Sequence, residues 1–275
     1  MLGRFLQKFV GTRANSQQSQ PTHAAKNVFA KPKREPKAKK DKFAKWLKEN
    51  PEGTFDQFYV ESVVEALAGK KNHASLGPAL KKHQRPDRAQ SVVERWLARG
   101  IQPDDTVVDY GCGTLRLGRI LIEFLDPDRY VGLDIDHRIL AAGRSQLPAD
   151  LLEFKRPVLD VISAESLKRI SARKPKWVCS KGVLQHIPPA QIDKFFEDIS
   201  HLILPGATGL IEAQIRYASE RLSSKTWAYC LADLQTSAAR SDMSLVQEAC
   251  DYRTILVLSA SALQRASSHQ AQPQG

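Results

Sequence analysis

The sequence has no run near the ~20 apolar residues that a membrane-spanning helix needs. Its N-terminus also lacks the continuous apolar core of a secretory signal. Four cysteines, at positions 112, 179, 230 and 250, form no C-x-x-C pair and keep no metal-ligand spacing with the seven histidines. Neither a disulfide framework nor a structural zinc is expected, and the thiols point to a reducing compartment. Acid is scarce at one end only. No Asp or Glu precedes Glu35.

That scarcity explains the charge. Of the chain's net +11, nearly all sits in residues 1–50, where thirteen Lys or Arg face only Glu35, Asp41 and Glu49. The rest of the chain is close to neutral, so a partner inferred from overall charge is a partner of the tail alone. Within the tail, Leu2, Phe5, Leu6 and Phe9 share one helical face. A short interfacial helix on an anionic membrane, a mitochondrial presequence and an ordinary terminus all fit. Residues 11–40 are rich in Gln, Ser, Ala, Pro and Lys, and read as disordered. The run KPKREPKAKKDK either neutralises an anionic surface, membrane or nucleic acid, or keeps the tail solvated.

Structure begins at Phe43. FAKWLKEN and TFDQFYVESVVEALAG set aromatics and aliphatics at helical intervals up to Gly69, a helical cap over 43–88. Phe55, Phe58 and Tyr59 either line a ligand pocket or pack. From residue 89 to 260 helices alternate with short apolar strands. The expected class is α/β: a Rossmann-like three-layer sandwich on a mostly parallel seven-stranded sheet, with an antiparallel edge strand and added N-terminal helices. Expected pieces include a strand within 151–161 interrupted by Pro157, a strand over 209–215, a helix over 226–240, and an antiparallel closing pair near 245–249 and 254–258. Residues 261–275 read as a disordered tail.

The chemistry concentrates in TVVDYGCGTLRLGRILIEFLDPDRYVGLDID, residues 106–136. A buried strand ends at Asp109, Gly111 and Gly113 flank Cys112, a helix follows, and a second strand ends at Asp134. This is a nucleotide-binding βαβ unit. A dinucleotide fingerprint requires G-x-G-x-x-G, whose glycines admit a pyrophosphate to the backbone. Arg116 stands where the third glycine belongs. S-adenosylmethionine has no phosphate, so such a turn need only admit its aminocarboxypropyl chain, with free amides at the following helix meeting the carboxylate. Asp134, at a strand end, can hold ribose hydroxyls. Arg116 can pair with the cofactor carboxylate or face solvent.

Taken in order, VVDYGCG, GLDID, WVCSKGVLQHIPP and LPGATGLIEAQI resemble the motifs of class I S-adenosylmethionine-dependent methyltransferases, in the form common to bacterial small-molecule enzymes. Leu115 takes the place of that family's usual next glycine. The resemblance implies that Asp109, Gly111, Cys112 and Gly113 surround the methionine part and that Asp134 holds the ribose. It further implies that Asp160 and Val161 border the adenine, and that Ser180 and Lys181 line the floor. It implies methyl transfer from S-adenosylmethionine; an O or N atom as acceptor and no metal are the expectation here. Ser180-Lys181-Gly182-Val183 is not the Asn/Asp-Pro-Pro-Tyr/Phe of many base and glutamine N-methyltransferases, and no Pro-Cys pair offers a cytosine nucleophile. A metabolite, lipid or glycan acceptor is therefore favoured over a base. Methylation of RNA or protein recruited by the tail, and a non-catalytic S-adenosylmethionine-binding scaffold, remain alternatives. His186 is the candidate base, or else a loop-holding histidine. Arg216 and Tyr217 either select an anionic acceptor or join a loop salt bridge. A cytoplasmic protein, in places associated with a membrane surface, is expected, with a mitochondrial one as the alternative.

Overall fold

The computed structural model describes residues 41–69, 88–250 and 253–261. The tail helix, the basic run up to residue 40, the 70–87 loop and the C-terminal tail lie outside them. Among the described residues no helix is long and apolar enough to cross a membrane.

Local signals set the first helices. Helix α1 (Lys42–Glu49) begins where the Asp41 carboxylate accepts from the amides of Phe43 and Ala44. Helix α2 (Phe55–Leu67) begins with a reciprocal Thr54–Gln57 capping box, a device that satisfies two orphan donors. Helix α3 (Arg88–Leu97) leads into strand β1 (Val107–Tyr110), after which come α4 (Gly118–Phe124), β2 (Tyr130–Asp134) and α5 (His137–Arg144). The chain continues through α6 (Ala149–Lys155), β3 (Val158–Val161), α7 (Ala164–Ser171), β4 (Trp177–Lys181), α8 (Ile192–Ser200) and β5 (Thr208–Ala213). Three short strands follow, β6 (Ile215–Arg216), β7 (Glu220–Ser223) and β8 (Thr226–Cys230). Helix α9 (Leu231–Arg240) and strands β9 (Met243–Cys250) and β10 (Arg253–Ala260) close the described chain.

Seven strands form one sheet in the order β3-β2-β1-β4-β5-β10-β9. Strands β1 to β5 pair in parallel, while β10 runs against both β5 and β9. This is the expected mostly parallel sheet closed by an antiparallel pair. Its two faces are both covered, which is why its strands are continuous apolar runs. One face buries Val107, Cys179 and Leu210 against Trp96 of α3 and Leu121 of α4. The other buries Val108, Val178 and Ile211 against Leu167 of α7, Phe196 of α8 and Leu234 of α9, with Phe55 and Phe58 of α2 joining that side.

Three expectations are corrected. Residues 149–155 are helical, and Pro157 does not interrupt a strand. Arg156 ends α6 in the left-handed conformation (φ 46°) with its N–H on the Leu152 carbonyl, and Pro157 follows as a helix stop. The strand over 209–215 ends at Ala213, and Ile215–Arg216 joins a separate three-stranded sheet ordered β6-β8-β7. Residues 226–230 are the middle strand of that sheet, because Trp227, Ala228 and Tyr229 are all buried; aromatic residues favour that pleated setting. Helix α9 starts only at Leu231, after Cys230 as its N-cap.

Candidate ligand site at the carboxyl ends of the parallel strands

The chain runs from β1 through β2 to β3 on one side and reaches β4 and β5 on the other, so strand order reverses at β1. Ligands of open α/β sheets bind outside the carboxyl ends of the strands at such a switch point. The turn between β1 and α4 lies there. Gly111 (φ +77°) must be glycine, since a Cβ would stand 2.1 Å from the Val183 Cγ2 of the post-β4 loop. Gly113 (φ +58°) opens onto free space, with nothing within 4 Å of a Cβ built on it. Leu115 also holds the left-handed conformation (φ 58°) although its side chain is buried. The backbone shape that usually calls for glycine is kept here by a leucine, at a cost of about 1–2 kcal/mol.

Several amides of the turn are already used. Those of Gly111 and Cys112 donate to the Leu133 carbonyl (2.7 and 2.9 Å) and that of Leu115 to Cys112. The Gly113 amide donates to Asp134 Oδ2 at 2.7 Å. The amides at the start of the turn are thus committed, whereas the expectation concerned those leading into the helix. Those without a backbone partner among the described residues are farther along, on Thr114, Arg116 and Leu117.

Asp134 ends β2 almost fully enclosed. Its second oxygen takes the Ile135 amide at 2.9 Å, and burial raises its carboxyl to about 6. Asp109 lies deeper, 1% exposed. It shares the face of Val107 and accepts from the Tyr130 hydroxyl at 2.9 Å. Burial, with a smaller push from Asp134, raises it to about 7. The open rim is therefore the turn itself; the Asp109 carboxylate is turned toward Tyr130, beneath it. Cys112 is buried as well, and burial pushes its thiol up.

The remaining expected residues are split by strand alternation. Asp160 takes the Val161 amide at 2.8 Å and pairs with Arg169 of α7. Val161 faces the other way, into the cluster of Leu159 and Leu140. Both border a crevice of about 270 Å³ between α5 and β3, with His137 and Arg144 on its far wall. Ser180 is fully buried and its hydroxyl has no partner among the described residues. Lys181 approaches Glu212 Oε2 (3.5 Å), and Arg95 of α3 holds the same carboxylate (2.5 Å).

His186 closes a 3-10 turn, Leu184–His186, after β4. Its Nδ1 lies 2.8 Å from the Lys225 carbonyl oxygen and its Nε2 lies 3.1 Å from the Gln185 side-chain nitrogen. The Tyr59 ring of α2 packs against it, centroids 4.9 Å apart. Burial holds the imidazole below its usual range, against the opposing pull of the hydrogen bond to the Lys225 carbonyl. Phe55 packs edge-on against Trp227 (4.9 Å) and borders a crevice with Pro188 and Gln191 of the post-β4 loop, and Phe58 packs against Phe43 (5.2 Å). Gln185, Lys225 and Tyr59 were not singled out from sequence as partners of His186. Lys225 is 39 positions away from it, a separation that leaves no local pattern to read. Arg116 is half-buried and pairs with no carboxylate among the described residues. Arg216 is bound to Glu220 (2.5 Å), and Tyr217 beside it is fully exposed. Among the described residues no group of His, Cys, Asp and Glu could hold a metal ion.

No known family profile matches the chain. Solved structures resemble it at low identity. Magnesium protoporphyrin IX methyltransferase from Synechocystis PCC 6803, with bound SAH, is 18% identical over 63% of this chain and 82% of that one, with a TM-score of 0.46. The glycopeptide N-methyltransferase MtfA, complexed with S-adenosyl-L-methionine, is 13% identical over 66% of this chain and 90% of that one, at 0.49. An S-adenosylmethionine-dependent methyltransferase from Clostridium acetobutylicum ATCC 824 is 11% identical over 74% and 98%, at 0.47.

Proposed function

We propose that this chain is an S-adenosylmethionine-dependent methyltransferase acting on an O or N atom of a metabolite, lipid or glycan. The observation that supports it most is the joining of Asp134 to Gly113 (2.7 Å) beside the free space at Gly113. In this reading, ribose hydroxyls donate to the remaining lone pairs of that nearly enclosed carboxylate. Arg116 occupies the position that a pyrophosphate clamp reserves for its third glycine. The uncommitted amides of Thr114, Arg116 and Leu117, with the Arg116 guanidinium, suit a carboxylate such as that of a methionine moiety. When bound, S-adenosylmethionine supplies a methyl group already activated on sulfonium, so the protein's task is alignment of the acceptor.

Equilibrium dialysis with radiolabelled S-adenosylmethionine tests the reading. Wild type should bind, and Asp134→Ala should weaken binding about ten- to a hundredfold, the worth of hydrogen bonds to a charged group. Absence of binding by wild type, or preference for NAD(H), would overturn it. A second reading, in which RNA or protein is brought to the site by the tail, is favoured only by the concentration of basic residues before residue 50.

A further inference from the structure

We propose that a crevice between α1, α2 and the strands β7 and β8 binds a small aromatic carboxylate, whose acid group takes the place of Asp41 on Arg221. The site needs no cofactor, so the inference stands apart from the methyltransferase reading above.

The crevice holds about 350 Å³. That is the lower end of the range for small-ligand pockets, so one ring system with a short side chain fills it. Its apolar walls include Phe43 of α1, Phe55 of α2, Pro188 of the post-β4 loop and Trp227 of β8. Phe55 stands edge-on to both other rings, 5.3 Å from Phe43 and 4.9 Å from Trp227. A further aromatic ring is attracted to the face of one such ring or the edge of another, beyond what its buried area gives.

Among the described residues, two polar side chains border the crevice, Gln191 and Arg221. The Gln191 amide donates to Asp56 at 3.4 Å. Arg221 brings the charge, and its guanidinium carbon lies over the Trp227 ring, 5.6 Å from the centroid. Its Nε donates to the Ser223 carbonyl at 3.0 Å and its Nη2 to the Ser224 carbonyl at 3.2 Å. Those two bonds aim the guanidinium whichever carboxylate it meets. Nη1 and Nη2 then present the fork from which a carboxylate accepts two parallel hydrogen bonds.

Asp41 fills that fork, at 2.6 and 3.0 Å, but its hold is replaceable. The pair is roughly two-fifths exposed, and an ion pair so placed is weak. Asp41 also has a second task that the exchange leaves intact. Its Oδ1 accepts from the amides of Phe43 (3.0 Å) and Ala44 (3.3 Å) at the start of α1. One carboxylate thus replaces another on Arg221, and burial of the ring against aromatic walls decides for the ligand. A ring without the acid has nothing to offer Arg221. An acid without the ring gains nothing over Asp41.

The test uses the full-length protein labelled with ¹⁵N-tryptophan, the Trp227 indole signal being assigned with Trp227→Phe. 4-Phenylbutyrate should shift that signal with a dissociation constant at or below about 1 mM. 4-Phenylbutan-1-ol should bind about three- to fivefold more weakly, the worth of an exposed ion pair, and butyrate should leave the signal unmoved. No shift with 4-phenylbutyrate, or equal affinity for the alcohol, overturns the proposal. Asp41→Asn keeps a good N-cap but gives up Arg221. It should bind 4-phenylbutyrate about two- to fivefold tighter and the alcohol as before; unchanged affinity for the acid rules out the exchange. Arg221→Gln should bring the acid down to the affinity of the alcohol, and a retained preference for the acid overturns the role of Arg221. Ala190 borders the crevice and is exposed, so Ala190→Trp should fill the space with the fold intact by circular dichroism and abolish binding of both probes. Binding as in wild type would put the probe elsewhere and overturn the proposal.

Discussion

Asp109 is a carboxyl held almost without water beneath the turn, and its ionisation opposes the fold. Its folded-state value is about 7, against roughly 4 in an unfolded chain. Between these values the folded protein binds a proton that the unfolded chain has released, so this group's stabilisation is complete below about pH 4 and is lost as pH rises toward 7. At ~1.4 kcal/mol per pKa unit, the loss by neutral pH is about 4 kcal/mol. Asp109→Asn keeps an acceptor for the Tyr130 hydroxyl and removes the titration. Urea unfolding of the two proteins should agree near pH 4 and diverge in the variant's favour by pH 7; parallel curves would refute the argument. The carboxyls of Asp105 and Asp136, held low by Lys176 and Arg138 as well as by backbone donors, lose their contribution as pH falls. The difference between variant and wild type isolates Asp109 from them. Leu115 poses the opposite question. Leu115→Gly relieves left-handed strain worth about 1–2 kcal/mol, but it empties a site 2% exposed, and emptying a buried leucine site costs ~2–5 kcal/mol. The cavity wins, and the variant should be less stable by about 1–3 kcal/mol in the same measurement.

At the scale of elements, α1, α2 and the β6–β8 sheet make up a cap on the side of the main sheet that carries α7, α8 and α9. Two kinds of contact join its parts. Phe55 is buried against Trp227 at 4.9 Å, while Arg221 grips Asp41 in a bidentate pair (2.6 and 3.0 Å) that is roughly two-fifths exposed. An exposed pair is worth ~0–1 kcal/mol, whereas an aromatic core side chain costs ~3–5 kcal/mol to remove. Phe55→Ala should therefore loosen the cap and Arg221→Ala should barely affect it, as read by thermal unfolding and by amide exchange over 55–67 and 220–230. A larger effect from Arg221 would show that the pair, and not the ring contact, holds the cap. This contrast also shows what sequence could reveal. The βαβ unit was legible because its glycines, strand ends and helical period all fall within about thirty residues of chain. The cap sheet was not, since Trp227, Cys230, Leu231 and Leu234 satisfy a helical period as well as a strand does, and only the burial of Ala228 and Tyr229 decides. Asp160 and Val161 were read as one ligand wall, and both border the crevice between α5 and β3 although the period of two turns their side chains apart. The turn carrying His186 was legible, but its partners come from elements distant in sequence.

For the whole molecule the controlling fact is that charge and the candidate site are separate in sequence. Most of the excess of +11 precedes residue 50, while the residues of the site, with their partners, lie between 59 and 225. Attraction to an anionic surface and binding at the turn should then respond to different changes. Replacing Lys31, Lys33, Lys37, Lys39 and Lys40 with Gln in the full chain removes five positive charges and leaves every described site residue in place. If the run neutralises phosphates, log affinity for duplex RNA falls with log salt at about 0.9 per phosphate contacted. The wild-type slope should be steep, and the variant's should be shallower by up to about four units. Fluorescence anisotropy across a salt series measures this, and dialysis of S-adenosylmethionine on the same variant should give an unchanged affinity. An unchanged salt slope would mean that the run only keeps the tail solvated. A change in S-adenosylmethionine affinity would mean that tail and site are coupled, which the near-neutral charge of the body gives no reason to expect.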